Sequence, residues 1–293
     1  MKKRLALIIA ALAVAAIAVA SFAGCSSTPT QRLLLDSRPW ENMDVEEYFV
    51  YDVEYAPNDN ETVKGTYTVA VKGYDHGETL SLDGFTYESP CYHIRSDLEM
   101  ENGDYIRTDS VVTPDIKPVY GAEDKLDRDV RTTYTARYAD EKCTYSYTEN
   151  DQTYEGSINV GEFDSSAYID NTFLYQLVRC LPDVASGLSF SVPNFIQGSK
   201  ESVTVSLATS AVVNEPFEGG TIAEGSDTPT IACTAAVVTL NRTFPGSGIS
   251  LMCSVANDDY ALEDGTKIAH MIVKIVEGAT TYTLKTVSNV IPD

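Results

Sequence analysis

The chain has 293 residues and carries 43 acidic against 21 basic side chains, a net charge of −22. That balance argues against nucleic acid as a partner and against an electrostatic hold on anionic lipid. At 43% hydrophobic residues the chain can build a core and is not disordered overall.

Lys2, Lys3 and Arg4 precede an uncharged apolar run from Leu5 to about Ala20, and Ser21-Phe22-Ala23-Gly24-Cys25 follows. A positive start, an apolar stretch and a small-residue site read as a secretory signal that is removed. Length alone would also allow a spanning helix, since a bilayer core needs about 20 apolar residues. The cysteine decides for cleavage. Ala23-Gly24-Cys25 resembles the bacterial lipobox, in which the cysteine is acylated and becomes the new N-terminus. The resemblance implies that 1–24 is a signal peptide, that Cys25 is the lipidation site, and that the protein is anchored to the bacterial cell membrane on its extracytoplasmic side. Two or three acyl chains hold firmly where one does not. Cleavage removes three basic residues and no acidic one, leaving 18 basic against 43 acidic, a net charge of −25. Ser26-Ser27-Thr28-Pro29-Thr30 reads as tether, so 25–44 is expected to be lipidated cysteine and tether and 45–293 a single β-rich envelope domain.

Beyond the tether the period is mostly two. Glu47–Tyr55 places Phe49, Tyr51, Val53 and Tyr55 on one face, and Gly65–Val71 does the same with Tyr67, Val69 and Val71. Short runs at Leu80–Tyr87, Tyr92–Met100 and Tyr105–Val112 read as further strands. Val130–Tyr138 and Cys143–Tyr147 flank the polar loop Ala139-Asp140-Glu141-Lys142 and predict a hairpin. With Tyr138 opposite Cys143, one face collects Tyr134, Ala136, Tyr138, Cys143, Tyr145 and Tyr147, while the other is polar. Tyrosine is abundant throughout, 18 residues against the single Trp40, and suits strands whose rings are buried and hydroxyls wet.

Asn171–Leu181 breaks the pattern. Leu174, Leu177, Val178 and Leu181 fall at helical spacing, Asp170 or Asn171 can cap the start and Pro182 follows the end. An amphipathic helix in a β chain must bury its stripe, and the sheet's tyrosine side is the apolar surface on offer. Strands resume at Leu188–Val192, Ser202–Leu207, Thr230–Leu240, Ile249–Ala256, Lys267–Glu277 and Thr281–Val287, with Asn214–Asp227 expected to be a long mobile loop.

Few residues point to chemistry. His76, His93 and His270 share no spacing motif, and no GxSxG, HExxH or P-loop occurs. Asn257-Asp258-Asp259 with Glu263-Asp264-Gly265 could offer oxygens to calcium, but lacks ordered ligand spacing and reads as an acidic loop. Asp52 and Glu54 share a strand face opposite Tyr51 and read as solvated rather than as a glycosidase pair. No cofactor is expected. Without Cys25, five cysteines remain, an odd number with no zinc spacing. Cys233 and Cys253 are the candidate disulfide, because a hairpin turning near Thr243 would set them opposite each other, with Cβ atoms about 4.5–5.5 Å apart.

Asp170-Asn171, Leu174-Tyr175-Gln176-Leu177-Val178-Arg179-Cys180-Leu181 and Gly187-Leu188-Ser189-Phe190 together resemble the central signature of an uncharacterised bacterial envelope family, domain of unknown function 3108. Lys64-Gly65-Thr66-Tyr67 is similar to its early strand, and Lys274-Ile275-Val276-Glu277-Gly278 with Tyr282 and Leu284 to its closing hairpin. The family's Asp-Arg-Pro element has no counterpart here. The resemblance implies a single curved antiparallel sheet or open β-barrel with one short helix, similar in outline to lipoprotein carriers, and no known activity.

The expected fold is therefore mainly β, and the expected function is a noncatalytic, membrane-anchored lipoprotein that binds an apolar molecule such as a lipid or lipopeptide. Tyr134, Tyr138, Tyr145, Tyr147, Leu174 and Leu177 are the candidate ligand-facing residues, unless they form a filled core. A structural or protein-interaction module with an envelope protein as partner is the alternative. A hydrolase with an unrecognised site comes third.

Overall fold

The computed structural model describes residues 39–40, 43–58, 61–160, 167–181, 186–222, 227–241 and 249–292. The signal segment, Cys25 and most of the tether lie outside them.

Nineteen strands make up most of the described chain. The first half contains β1 (Glu46–Asn58), β2 (Glu61–Tyr74), β3 (Leu80–Leu82), β4 (Phe85–Tyr87), β5 (Cys91–Met100), β6 (Tyr105–Val112), β7 (Pro118–Asp127), β8 (Val130–Ala139), β9 (Lys142–Glu149) and β10 (Gln152–Asn159). After β11 (Ala167–Tyr168) come the helical segment and then β12 (Ser186–Asn194), β13 (Ser199–Ile222), β14 (Pro229–Asn241) and β15 (Ile249–Ala256). β16 (Tyr260–Ala261), β17 (Lys267–Ile268), β18 (Ile272–Glu277) and β19 (Thr280–Ser288) end the domain.

Fifteen strands form one sheet in the order β10-β9-β8-β7-β6-β5-β2-β1-β19-β18-β15-β14-β13-β12-β11. Every pairing is antiparallel except β11 with β12. Among the described residues the two ends of the sheet do not pair with each other, so it is curled and open. They nevertheless approach: Phe195, just after β12, packs on Tyr134, Ala136, Cys143 and Ile158 of β8, β9 and β10. On the outer face the β3–β4 hairpin covers a small separate core of Leu80, Cys91, Val111, Val119 and Tyr120.

Local chemistry explains the meander. The β7–β8, β8–β9 and β9–β10 connections are two-residue turns with both residues at positive φ: Arg128-Asp129, Asp140-Glu141 and Asn150-Asp151. Such turns match the twist of paired strands. The β8–β9 register sets Tyr138 opposite Cys143, Ala136 opposite Tyr145 and Tyr134 opposite Tyr147, as the alternation predicts.

Several expectations need correction. Asn214–Ile222 is not a loop but the last part of the 24-residue strand β13. It is held because Glu215 accepts from Ser254 and Lys274 (2.8 and 3.3 Å) and Phe217 packs edge-on against Tyr260. Leu80–Tyr87 is a tight hairpin rather than one strand, turning at Gly84 with φ +66°. Lys267–Glu277 is broken at His270, whose φ is +50°. The packed domain also reaches upstream of residue 45. Trp40 is buried, its indole N–H donates to Glu47 Oε2 (3.1 Å), and its carbonyl accepts from Tyr92 (2.9 Å).

The proposed Cys233–Cys253 bridge is absent. The β14–β15 register sets Cys233 opposite Ala256 and Cys253 opposite Ala236, three residues from the pairing a bridge requires. Both thiols are free and buried, as are those of Cys91 and Cys143, and Cys180 is buried as well.

A helical segment within the curled sheet, and the cleft beside it

The segment after β11 lies across the concave face of the sheet. It comprises a 3-10 turn (Asn171–Phe173), one α-helical turn, α1 (Leu174–Leu177), and a second 3-10 turn (Val178–Cys180). Only the middle of the predicted helix is α-helical, which suits a piece this short, where i→i+3 bonds tighten each end. Asp170 caps it in extended conformation and accepts from Thr172 N (2.9 Å).

The predicted stripe is buried on the sheet. Leu177, Val178 and Leu181 belong to the main core with Phe49, Tyr51, Val69, Leu251 and Ile275. The side expected to be polar is buried as well. Arg179 is 1% exposed and makes a bidentate pair with Glu47 of β1, at 2.7 and 3.0 Å. Its guanidinium also donates to Ala269 O (2.9 Å) and lies over the rings of Phe49 and Trp40. Burial alone would push Arg179 down; the Glu47 carboxylate outweighs it and the net shift is upward, so the guanidinium stays charged.

At the other end of the segment, Asp170 is fully buried and accepts from Tyr134 (2.9 Å), Tyr138 and Thr172 Oγ1 (2.7 Å). Burial first, and the Asp170 charge second, push both tyrosines well above their ordinary range, so they remain donors. Its carboxylate presses against Gly121 of β7, where any Cβ would overlap it. Two of the candidate tyrosines thus clamp the segment's cap, a role the alternation does not reveal.

The segment fills only part of the concave face. Beside it a cleft of about 1180 Å³ stays open to solvent, at or above the roughly 300–1,000 Å³ usual for small-molecule sites. Its floor combines Tyr67, Tyr175 and Tyr282, whose centroids are 5.3–6.0 Å apart, with Leu98, Leu174 and Leu251. Tyr175 donates to Glu277, and burial, Tyr282 and Glu277 raise its hydroxyl well above the ordinary value. Burial pushes Tyr67 up to about 12.

Of the predicted site residues, Tyr134, Tyr147 and Leu174 line this cleft. Tyr138 serves the Asp170 cap, Tyr145 packs on Phe195 with centroids 5.0 Å apart, and Leu177 is fully enclosed in the core. Cys25 lies outside the described residues. No sequence pattern marks Tyr67, Tyr175, Tyr282 and Glu277 as one site, because they meet only when distant strands curl around the segment. Glu47 did carry a signal: it sits in phase with Phe49, Tyr51 and Val53, an acid where the alternation calls for an apolar residue. Asp52 and Glu54 face outward and are exposed, with Asp52 paired to Lys285. Among the described residues no group of three or more His, Cys, Asp and Glu side chains is placed to hold a metal ion. In the acidic loop, Asp264 accepts from Thr266 and Asn289.

No family model matches the chain, that of domain of unknown function 3108 included. No curated protein matches it. Among solved structures it is similar to a beta-barrel-like protein of domain of unknown function DUF1849 from Brucella abortus, with a TM-score of 0.46 and 10% identity over 85% of this chain and 99% of that chain.

Proposed function

We propose that this chain is an extracytoplasmic lipoprotein, cut after Gly24 and acylated on Cys25, whose curled sheet binds an apolar molecule such as a lipid or lipopeptide. The observation that carries the reading is the open cleft with its floor of tyrosine rings and aliphatic side chains. A sheet of this size could have enclosed a wholly filled core. Here the helical segment seals one part of the concave face and leaves another accessible, with tyrosine rings and aliphatic side chains on its floor and carboxylates among its lining residues. Burying an apolar body against that floor removes surface from water at about 25 cal/mol per Å², and the tyrosine hydroxyls fix polar positions without adding charge.

Native mass spectrometry of the full chain extracted from membranes in a nonionic detergent tests the reading. A one-to-one adduct with the mass of a lipid or lipopeptide is expected, and it should be lost in Leu174→Trp, which enlarges a side chain that already projects into the cleft. An unliganded wild-type protein that also leaves an apolar fluorescent dye unbound would overturn it.

A further inference from the structure

The charges around the cleft narrow the ligand class. Among the described residues seven carboxylates line it against two cations, Lys125 and Arg128. Both cations are already neighbours of one carboxylate, Asp127, at 3.4 and 3.9 Å. Four of the acids are not rim residues that happen to be near. Glu123 is opposite inward Tyr134, Glu149 continues the inward row Tyr145 and Tyr147, Glu201 is opposite buried Val192, and Glu277 continues the row of Val273 and Ile275. In each strand an acid occupies a position where alternation elsewhere places an apolar residue toward the concave side.

Glu277 is the most telling. Its carboxylate accepts from Tyr175, within the group of rings formed by Tyr67, Tyr175 and Tyr282. No basic side chain among the described residues forms an ion pair with it. Ring faces are the negative ends of the aromatic quadrupole and attract cations. A carboxylate beside three such rings, in a concave site whose low-dielectric walls concentrate the field, favours positive charge and disfavours negative charge.

We infer that the cleft selects a cationic amphiphile: an apolar body ending in an amine or quaternary ammonium group, with that group seated at Glu277 and the surrounding tyrosine rings. An amphiphile with a phosphate or carboxylate end would meet like charge at Glu277. The inference rests on the cleft being the ligand site and adds the charge of what enters it.

Three probes with one apolar body separate the two claims: 4-phenylbutylamine, 4-phenylbutanol and 4-phenylbutyrate, each titrated calorimetrically into the full lipidated chain in nonionic detergent. At low ionic strength the amine should bind about tenfold or more tighter than the carboxylate, with the alcohol between them, and the gap should narrow in high salt. Glu277→Gln should bring the amine's affinity close to the alcohol's, collapsing the amine-to-alcohol ratio. Carboxylate binding as tight as amine binding would overturn the inference and leave apolar binding standing. If the alcohol and the other two all fail to bind, the cleft is not the ligand site and both claims fall. An unchanged amine-to-alcohol ratio in Glu277→Gln would overturn the placement of the cation. Should that variant not fold, the three-probe comparison on the unaltered chain still decides the charge preference.

Discussion

Arg179 and Glu47 stand 132 positions apart in the chain and are each 1% exposed. Two charges withdrawn from water are costly, and their mutual attraction plus further hydrogen bonds must offset that cost. Here Trp40 Nε1 and Ala269 O supply those bonds. Arg179→Met should therefore destabilise the domain by about 3–5 kcal/mol, because Glu47 is left buried without its counter-charge. Adding Glu47→Leu should recover most of that loss. Denaturant titrations of both variants check this, and equal losses in the single and double variants would refute it. The buried thiols make a second prediction at this scale. Burial raises Cys91 to about 11 and Cys143, Cys233 and Cys253 to about 12, from an ordinary 9.0. Above pH 9.0 the unfolded chain loses these protons first, so the folded state binds more protons and stability falls as pH rises. The stabilisation is complete below that pH and is lost as pH climbs through about 11–12. Melting curves under reducing conditions from about pH 8 upward should show a steady decline that starts near 9.0 and is weakened when Cys143 and Cys253 are replaced by Ala.

Among the elements, the helical segment does the most to organise the molecule. Leu177 has no exposed surface and lies in the main core, so Leu177→Ala should cost about 2–5 kcal/mol. A denaturation curve with a near-wild-type midpoint would mean the segment is a loose gate rather than a fixed plug. The strands differ in how readily sequence reveals them, for a physical reason. β8 and β9 alternate cleanly because their inner face packs on Phe195 and their outer face meets water, and the register follows from that contrast. β7 shows no apolar alternation because its inward positions include Gly121, Glu123 and Lys125. One makes room for a buried carboxylate and two line the cleft. The alternation fails in β7 where the strand serves the site instead of the core. β10 lacks a pattern for another reason: it is the sheet's edge, exposed at all but one position, so it has no buried face.

For the whole molecule, the proposed lipidation of Cys25 has a direct test. Cys25→Ala should leave residues 1–24 attached and abolish the acyl mass, shifting the protein out of the detergent phase in phase partitioning unless the uncleaved segment holds it there; intact mass separates those cases. A wild-type mature N-terminus at another residue, without acyl mass, would refute lipidation. Fold class, the β8–β9 register and the capped amphipathic segment are all local properties, written in alternation and helical spacing. They need neighbours only within a few positions of the chain, so sequence alone determines them. The cleft, the clamp of Tyr134 and Tyr138 on Asp170, the Arg179–Glu47 pair and the three-residue offset that separates Cys233 from Cys253 depend on how far the sheet curls and in what register distant strands meet. Those quantities are set by packing against the helical segment and by bulges such as the shift between Val50 and Tyr51. No local pattern encodes them, and it took the tertiary structure to decide that part of the concave face is core and part is open.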